Sequence, residues 1–126
     1  MADSAEDKLQ IRPRLRVGCG SDIALGPGKV ELLEWVHQTG SITEAARRMG
    51  MSYMRAWTLI RTMNRSFRAP IVVGRRGGSN RGGAELTEAG RQALDLYHEM
   101  NARCLEAVQT QWKELRKLLR DTHARP

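Results

Sequence analysis

The chain has 126 residues, 40% hydrophobic and 28% charged, the make-up of an ordinary soluble protein with one domain and a core of its own. Lys and Arg number 21 against 14 Asp and Glu, a net charge of +7, which points toward nucleic acid or an anionic surface. Cys19 and Cys104 fit no CxxC or Cys/His metal spacing, so a disulfide framework or zinc site is not expected and a cytoplasmic protein is; no apolar run nears the roughly 20 residues that span a bilayer, and the polar N-terminus lacks a secretory core.

Residues 1–10 are polar and terminal, a disordered lead-in. Leu15 and Val17 then alternate with Arg14 and Arg16, the period of a short strand. Gly18 to Asp22 is turn chemistry, and Ile23-Ala24-Leu25 forms the returning strand. Gly26-Pro27-Gly28 opens a helix, Pro27 suiting an early helical position, and Val30, Leu32, Leu33 and Val36 keep helical spacing up to Gly40. Ser41-Ile42-Thr43-Glu44 is a capping box: the Ser41 hydroxyl accepts the Glu44 amide, and the Glu44 carboxylate reaches back to the Ser41 amide. It starts a short helix from Ile42 to Met49, whose Ala45-Ala46 pair permits close packing. Gly50 turns the chain, since it tolerates positive φ, and Ser52 caps a longer helix from Tyr53 to near Phe67. A short capped helix, a glycine turn and a longer capped helix make the helix-turn-helix pattern.

Pro70 stops that helix, Ile71-Val72-Val73 favour a strand, and a return strand is expected near Glu85-Leu86. The glycine-rich, basic stretch from Gly74 to Gly83 joins them as a wing. Thr87 caps a last helix carrying Ala93, Tyr97, Met100, Cys104, Val108, Leu115 and Leu118 or Leu119 on an apolar stripe. At about 1.5 Å per residue it would extend some 48 Å, more than its own core requires, so the stripe is expected to pair with a second copy. The expected fold is mainly α with a small β wing. Residues 11–87 form a winged helix-turn-helix, 88–120 a long dimerisation helix and 121–126 a tail.

Charge follows this pattern. Between Glu44 and Glu85 stand nine arginines and no acid; from Arg47 to Arg91, ten Arg face two Glu, a balance of +8 that leaves the rest of the molecule near neutral. Such concentration suits a polyanion, because each neutralised phosphate releases a condensed counterion. Double-stranded DNA is the expected partner.

Gly40-Ser-Ile-Thr-Glu-Ala-Ala46, Met51-Ser-Tyr-Met-Arg-Ala-Trp57, Met63-Asn64, the glycines from Gly77 to Gly83 and Leu86-Thr-Glu-Ala-Gly90 occur in that order. Together they resemble the N-terminal DNA-binding domain of the molybdate-responsive ModE regulators, itself similar to the winged-helix head of LysR-type transcription factors. The resemblance runs from about Leu15 to Leu119. It implies a winged-helix homodimer, held by the long C-terminal helix, on a palindromic operator. Molybdate-binding domains follow that helix in ModE proteins, whereas this chain ends at Pro126 and contains nothing resembling them; molybdate is not expected to bind it, and no other effector or cofactor is evident.

The reading helix should present Ser52, Tyr53, Arg55, Thr58 and Arg61 to the major groove, with Ala56, Ile60 and Met63 facing the core. Arg55 is the leading candidate for a bidentate guanine contact, a phosphate contact being the equal alternative. Trp57 is expected to pack between helices. Arg47 and Arg48 should meet phosphate, having few acids nearby to pair with. Arg75, Arg76, Ser79, Asn80 and Arg81 in the wing should follow the backbone or enter the minor groove. The dimer stripe is Ala93, Tyr97, Met100, Cys104, Val108 and Leu115; His98 belongs on the solvated side.

A phosphate-cradling GxxxxGK[ST] and a complete dinucleotide glycine fingerprint are both absent. No carboxylate pair, activated nucleophile or metal cluster suggests an enzyme. A sequence-specific transcriptional regulator is therefore expected. The alternatives are a sequence-indifferent architectural DNA binder and a DNA-binding subunit that pairs with a separate sensor protein.

Overall fold

Residues 9–75 and 83–120 are described by a computed structural model. They fall into two compact units: residues 14–98, and residues 9–13 with 99–120. Most of the lead-in, the wing tip and the tail lie outside the described residues.

In the first unit, β1 (Val17–Cys19) and β2 (Asp22–Leu25) form an antiparallel hairpin. The strand starts later than the Arg14–Val17 alternation predicts, because its partner β2 ends at Leu25, opposite Val17, and the chain reverses in the two residues Gly20 and Ser21 rather than over five. Leu15 and Val17 still pack against the core, as their alternation with exposed Arg14 and Arg16 requires. Helix α1 (Pro27–Thr39) takes Pro27 in its first turn and ends at Gly40 in the left-handed region. Helices α2 (Ile42–Arg48) and α3 (Tyr53–Ser66) follow, then the antiparallel strands β3 (Val72–Gly74) and β4 (Ala84–Leu86).

One core joins these elements. Leu32, Leu33 and Val36 of α1, Ala45 and Ala46 of α2, Ala56, Ile60 and Met63 of α3, and Ile71 before β3 are at most 2% exposed. Helix α4 (Glu88–Ala107) adds Leu94 and Tyr97 to it. Tyr97, expected on the dimer stripe, is 3% exposed and donates its hydroxyl to the Leu15 carbonyl at 2.7 Å. Ala93 is half-buried against the same core. Helical spacing alone cannot separate a side chain serving its own domain from one awaiting a partner, and here the domain claims both. His98, half-exposed, holds Nε2 2.6 Å from Glu34 Oε2 on α1.

In the second unit the expected unbroken helix is interrupted. After Ala107, Val108 takes φ −106° and ψ 11°, and α5 (Gln109–Arg116) begins. Gln109 donates its side-chain amide to the Leu105 carbonyl at 2.7 Å, bracing the break. No residue of α5 is buried, and Met100, Val108, Leu115, Leu118 and Leu119 are exposed apolar side chains.

The start of α4 lies against the wing at Gly90. A Cβ there would stand 2.2 Å from the Ile71 carbonyl oxygen, an impossible separation with backbone on both sides. Gly90→Ala should therefore destabilise the fold by about 1–3 kcal/mol through overpacking. Gly28→Ala, where a Cβ meets nothing within 4 Å, should be neutral or mildly stabilising. Urea midpoints measure both, and equal midpoints would refute the close approach.

Candidate nucleic-acid interface

The helix-turn-helix is assembled from local signals, with one rearrangement. Ser41 accepts the Glu44 amide at 3.0 Å, half of the expected capping box. The other half is not made: the Ser41 amide donates to Thr39 Oγ1 at 3.2 Å, leaving the Glu44 carboxylate free to turn outward. There it accepts Arg47 Nε at 3.2 Å and Arg48 Nε at 3.1 Å. Both arginines, expected to lack acidic neighbours, thus share one carboxylate a turn away on their own helix. Their hydrogen bonds, Arg47 first, hold the Glu44 carboxyl below its ordinary value. Arg48 also lies over the Trp35 ring, 4.9 Å from its centroid.

Gly50 (φ 67°) reverses the chain between the helices, while Met51 donates its amide to the Ala46 carbonyl at 3.0 Å. Ser52 caps α3, its hydroxyl oxygen accepting the Arg55 amide at 3.0 Å.

Burial of Ala56, Ile60 and Met63 fixes the rotation of α3. Counting about 100° per residue from that stripe, Met54, Thr58 and Arg61 face directly outward, and all three are exposed. Tyr53 and Trp57 lie toward the wing, lining with Ile42, Val72, Val73 and Arg75 a cleft of about 480 Å³. Trp57, expected between helices, is 37% exposed on this cleft. Arg55 falls on the other flank, beside Arg14, Arg16 and Lys29. Met54, 64% exposed, stands outside the expected polar set because it is apolar; its place opposite the core stripe is the signal in the sequence. Arg14, Arg16 and Lys29 were also missed, since only the tertiary fold brings them to α3.

Arg55 and Arg61 have no ion pair among the described residues, whereas Arg65 is held by Asp22 at 3.3 Å. The wing base is tied to α3 by Asn64, whose Oδ1 accepts the amides of Ile71 (2.8 Å) and Val72 (3.2 Å) and whose Nδ2 donates to the Val72 carbonyl (3.0 Å). On its far side Ala84 donates to the Gly40 carbonyl at 3.0 Å, and Ser41 bridges Gly83. Thr87 completes the frame, donating its hydroxyl to the Pro70 carbonyl and accepting the Gly90 amide. Arg75 is exposed and its guanidinium lies over Gly40. Arg76, Ser79, Asn80 and Arg81 lie outside the described residues.

Among the described residues no three His, Cys, Asp or Glu side chains group as metal ligands. No described helix is long and apolar enough to cross a membrane.

Asn64→Ala would take that shared acceptor from the Ile71 and Val72 amides. It should destabilise the fold by about 1–3 kcal/mol, read as a lower urea midpoint; an unchanged midpoint would mean that Asn64 does not hold the wing.

Residues 28–91 match the family model described as "Bacterial regulatory helix-turn-helix protein, lysR family". Over 78 residues the chain is 41% identical to the molybdenum-pterin-binding protein MopB of Rhodobacter capsulatus, covering 62% of this chain and 29% of that protein. It is 37% identical over 87 residues to the molybdenum transport protein ModE of Azotobacter vinelandii, covering 68% and 32%. Among solved structures it is similar to the DNA-binding domain of CbnR in complex with DNA, with a TM-score of 0.48 and 20% identity over 74% of this chain and 97% of that one. The chain spans about a third of the length of these curated relatives. Because the family model covers more than half of the chain, from the start of α1 into α4, this protein belongs to the bacterial regulatory helix-turn-helix proteins of the lysR family.

Proposed function

We propose that this chain is a sequence-specific DNA-binding transcriptional regulator that inserts α3 into the major groove. The observation that carries the reading is the outward face of α3. Met54, Thr58 and Arg61 project from a helix whose opposite side is fully buried, and Arg61 has no ion pair among the described residues. A helix docked this way aims its outward side chains at base edges. Arg61 takes the role of a bidentate guanine reader, Thr58 contacts a neighbouring base, and the Met54 side chain packs on a thymine methyl. Tyr53 and Arg75, flanking the wing-side cleft, meet sugar and phosphate, aided by Arg76, Ser79, Asn80 and Arg81. Ser52 keeps its hydroxyl proton for a phosphate oxygen while capping α3. Arg47 and Arg48 exchange Glu44 for phosphate when DNA arrives.

The exposed apolar residues Met100, Val108 and Leu115, with half-buried Cys104, pair two copies, so that two recognition helices read half-sites about 34–36 Å apart. Molybdenum figures in the names of relatives about three times longer than the matched stretch.

Selection from a random DNA pool at physiological salt should enrich a palindrome. Arg61→Ala should relax preference at one base position per half-site, by about 1–3 kcal/mol. Arg75→Ala should weaken all sequences alike and lower the salt slope by about 1. Enrichment of no palindrome would favour sequence-indifferent, architectural binding. Sedimentation should report a dimer at micromolar concentration; a monomer would remove the two-half-site model.

Glu44→Gln releases Arg47 and Arg48 from their intrachain partner. Affinity for every duplex should rise about 2- to 5-fold at low salt, with the selected motif unchanged. Titration by fluorescence anisotropy measures this, and unchanged affinity would mean that the two arginines do not reach the backbone.

A further inference from the structure

We propose that the flank of α3 away from the wing seats a backbone phosphate of the bound DNA, and that Arg55 contacts this phosphate rather than a base. The inference rests on the DNA-binding reading above and adds an element to it: the segment leading into β1 and the start of α1.

A cleft of about 270 Å³ opens there, lined by Arg14, Arg16, Lys29 and Arg55 against a floor that includes Met51 and Leu59. Four cationic side chains surround it and no carboxylate does. The nearby acid of the hairpin, Asp22, is engaged by Arg65 instead. Arg14, Arg16 and Arg55 form no ion pair among the described residues. Lys29 is anchored by donating to the Ile23 carbonyl at 2.6 Å, and the Arg16 stem lies against Gly26. The cluster keeps its charges in water, at the cost of mutual repulsion that an anion between them would relieve.

The geometry of α3 selects the source of that anion. Arg55 is about 100° around the helix from Ala56, on a flank rather than on the outward face of Thr58 and Arg61. A helix in a major groove about 12 Å wide meets bases ahead of it and phosphate strands on either side. Arg55 is shared between the cleft and the reading helix, so a group seated in the cleft lies against the DNA that α3 reads. One strand then runs past Arg14, Arg16 and Arg55, and the other past Tyr53 and Arg75.

The test compares wild type with Arg14→Gln/Arg16→Gln and with Arg55→Ala, using a mixed-sequence duplex and then the selected motif. Both altered sites are exposed, and matching thermal melts establish that the variants fold. The loss of affinity that wild type suffers between about 50 and about 200 mM salt should shrink about 3- to 12-fold in Arg14→Gln/Arg16→Gln, the effect of one or two lost phosphate contacts. The equal charge loss of Arg103→Gln/Lys113→Gln, outside the cleft, should leave the wild-type slope. Arg55→Ala should weaken all sequences alike with the selected motif unchanged. An unchanged slope in Arg14→Gln/Arg16→Gln, or loss of preference at one base position in Arg55→Ala, overturns this inference while leaving the regulator reading intact. If wild type shows no salt-dependent DNA binding, both fall. If inorganic phosphate at matched ionic strength raises the wild-type Tm but not that of Arg14→Gln/Arg16→Gln, while their DNA slopes agree, the cleft holds a free anion and the backbone assignment is wrong.

Discussion

The rotation of α3 about its own axis is the constraint on which the rest of the molecule depends. Ala56, Ile60 and Met63 are completely buried, and turning the helix enough to bring Arg55 forward would expose part of that stripe. Returning Ile60 or Met63 to water would cost about 1.5–3 kcal/mol each, against a total stability of only about 5–15 kcal/mol for a domain. The core therefore decides which polar side chains look outward. Thr58 and Arg61 face outward, while Arg55 and Tyr53 are turned to opposite flanks.

The wing is subordinate to the same helix. Asn64, one residue beyond the buried Met63, spends its amide on three hydrogen bonds to Ile71 and Val72, so the base of β3 is referenced directly to α3. Gly40 and Ser41 hold β4 from the other side, and the close approach of Gly90 to Ile71 brings α4 against the residue that leads into β3. With the wing base held by Asn64 on one side and by Gly40 and Ser41 on the other, the spacing between α3 and β3 is a property of the core rather than of the loop.

Charge is distributed less evenly than a count of arginines implies. Arg47 and Arg48 are answered by Glu44 and Arg65 by Asp22. Both acids lie outside the arginine-rich stretch or at its edge. Among the described residues, Arg55 and Arg61 on α3 have no ion pair, and neither do Arg14 and Arg16 ahead of β1. An acid-free window in the sequence is thus partly neutral in space, and the basic surface extends to Arg14 and Arg16, which the chain keeps about 40 residues from α3.

Much of the architecture was legible without coordinates, because its signals are local. Apolar spacing from Val30 to Val36, the Ser41 and Ser52 caps, the turn at Gly50 and the β-branched run at Ile71 each act over a few residues, and the elements formed where those signals stand. What depended on a choice between competing partners, or on partners distant in the chain, was not legible. The sequence offered Glu44 an amide to cap, but Thr39 took that amide and two arginines took the carboxylate. Helical spacing placed Tyr97 on a pairing stripe; the Leu15 carbonyl, 82 residues earlier, drew it into the core. Arg14, Arg16, Lys29 and Arg55 became one cluster only when the hairpin folded beside α3. By itself the sequence determined a winged helix-turn-helix carrying excess positive charge, since periodicity, capping and composition are properties of neighbours in the chain. Which charges stand free and which face each helix presents was decided by the tertiary structure, because burial and pairing are settled between residues that the chain keeps far apart.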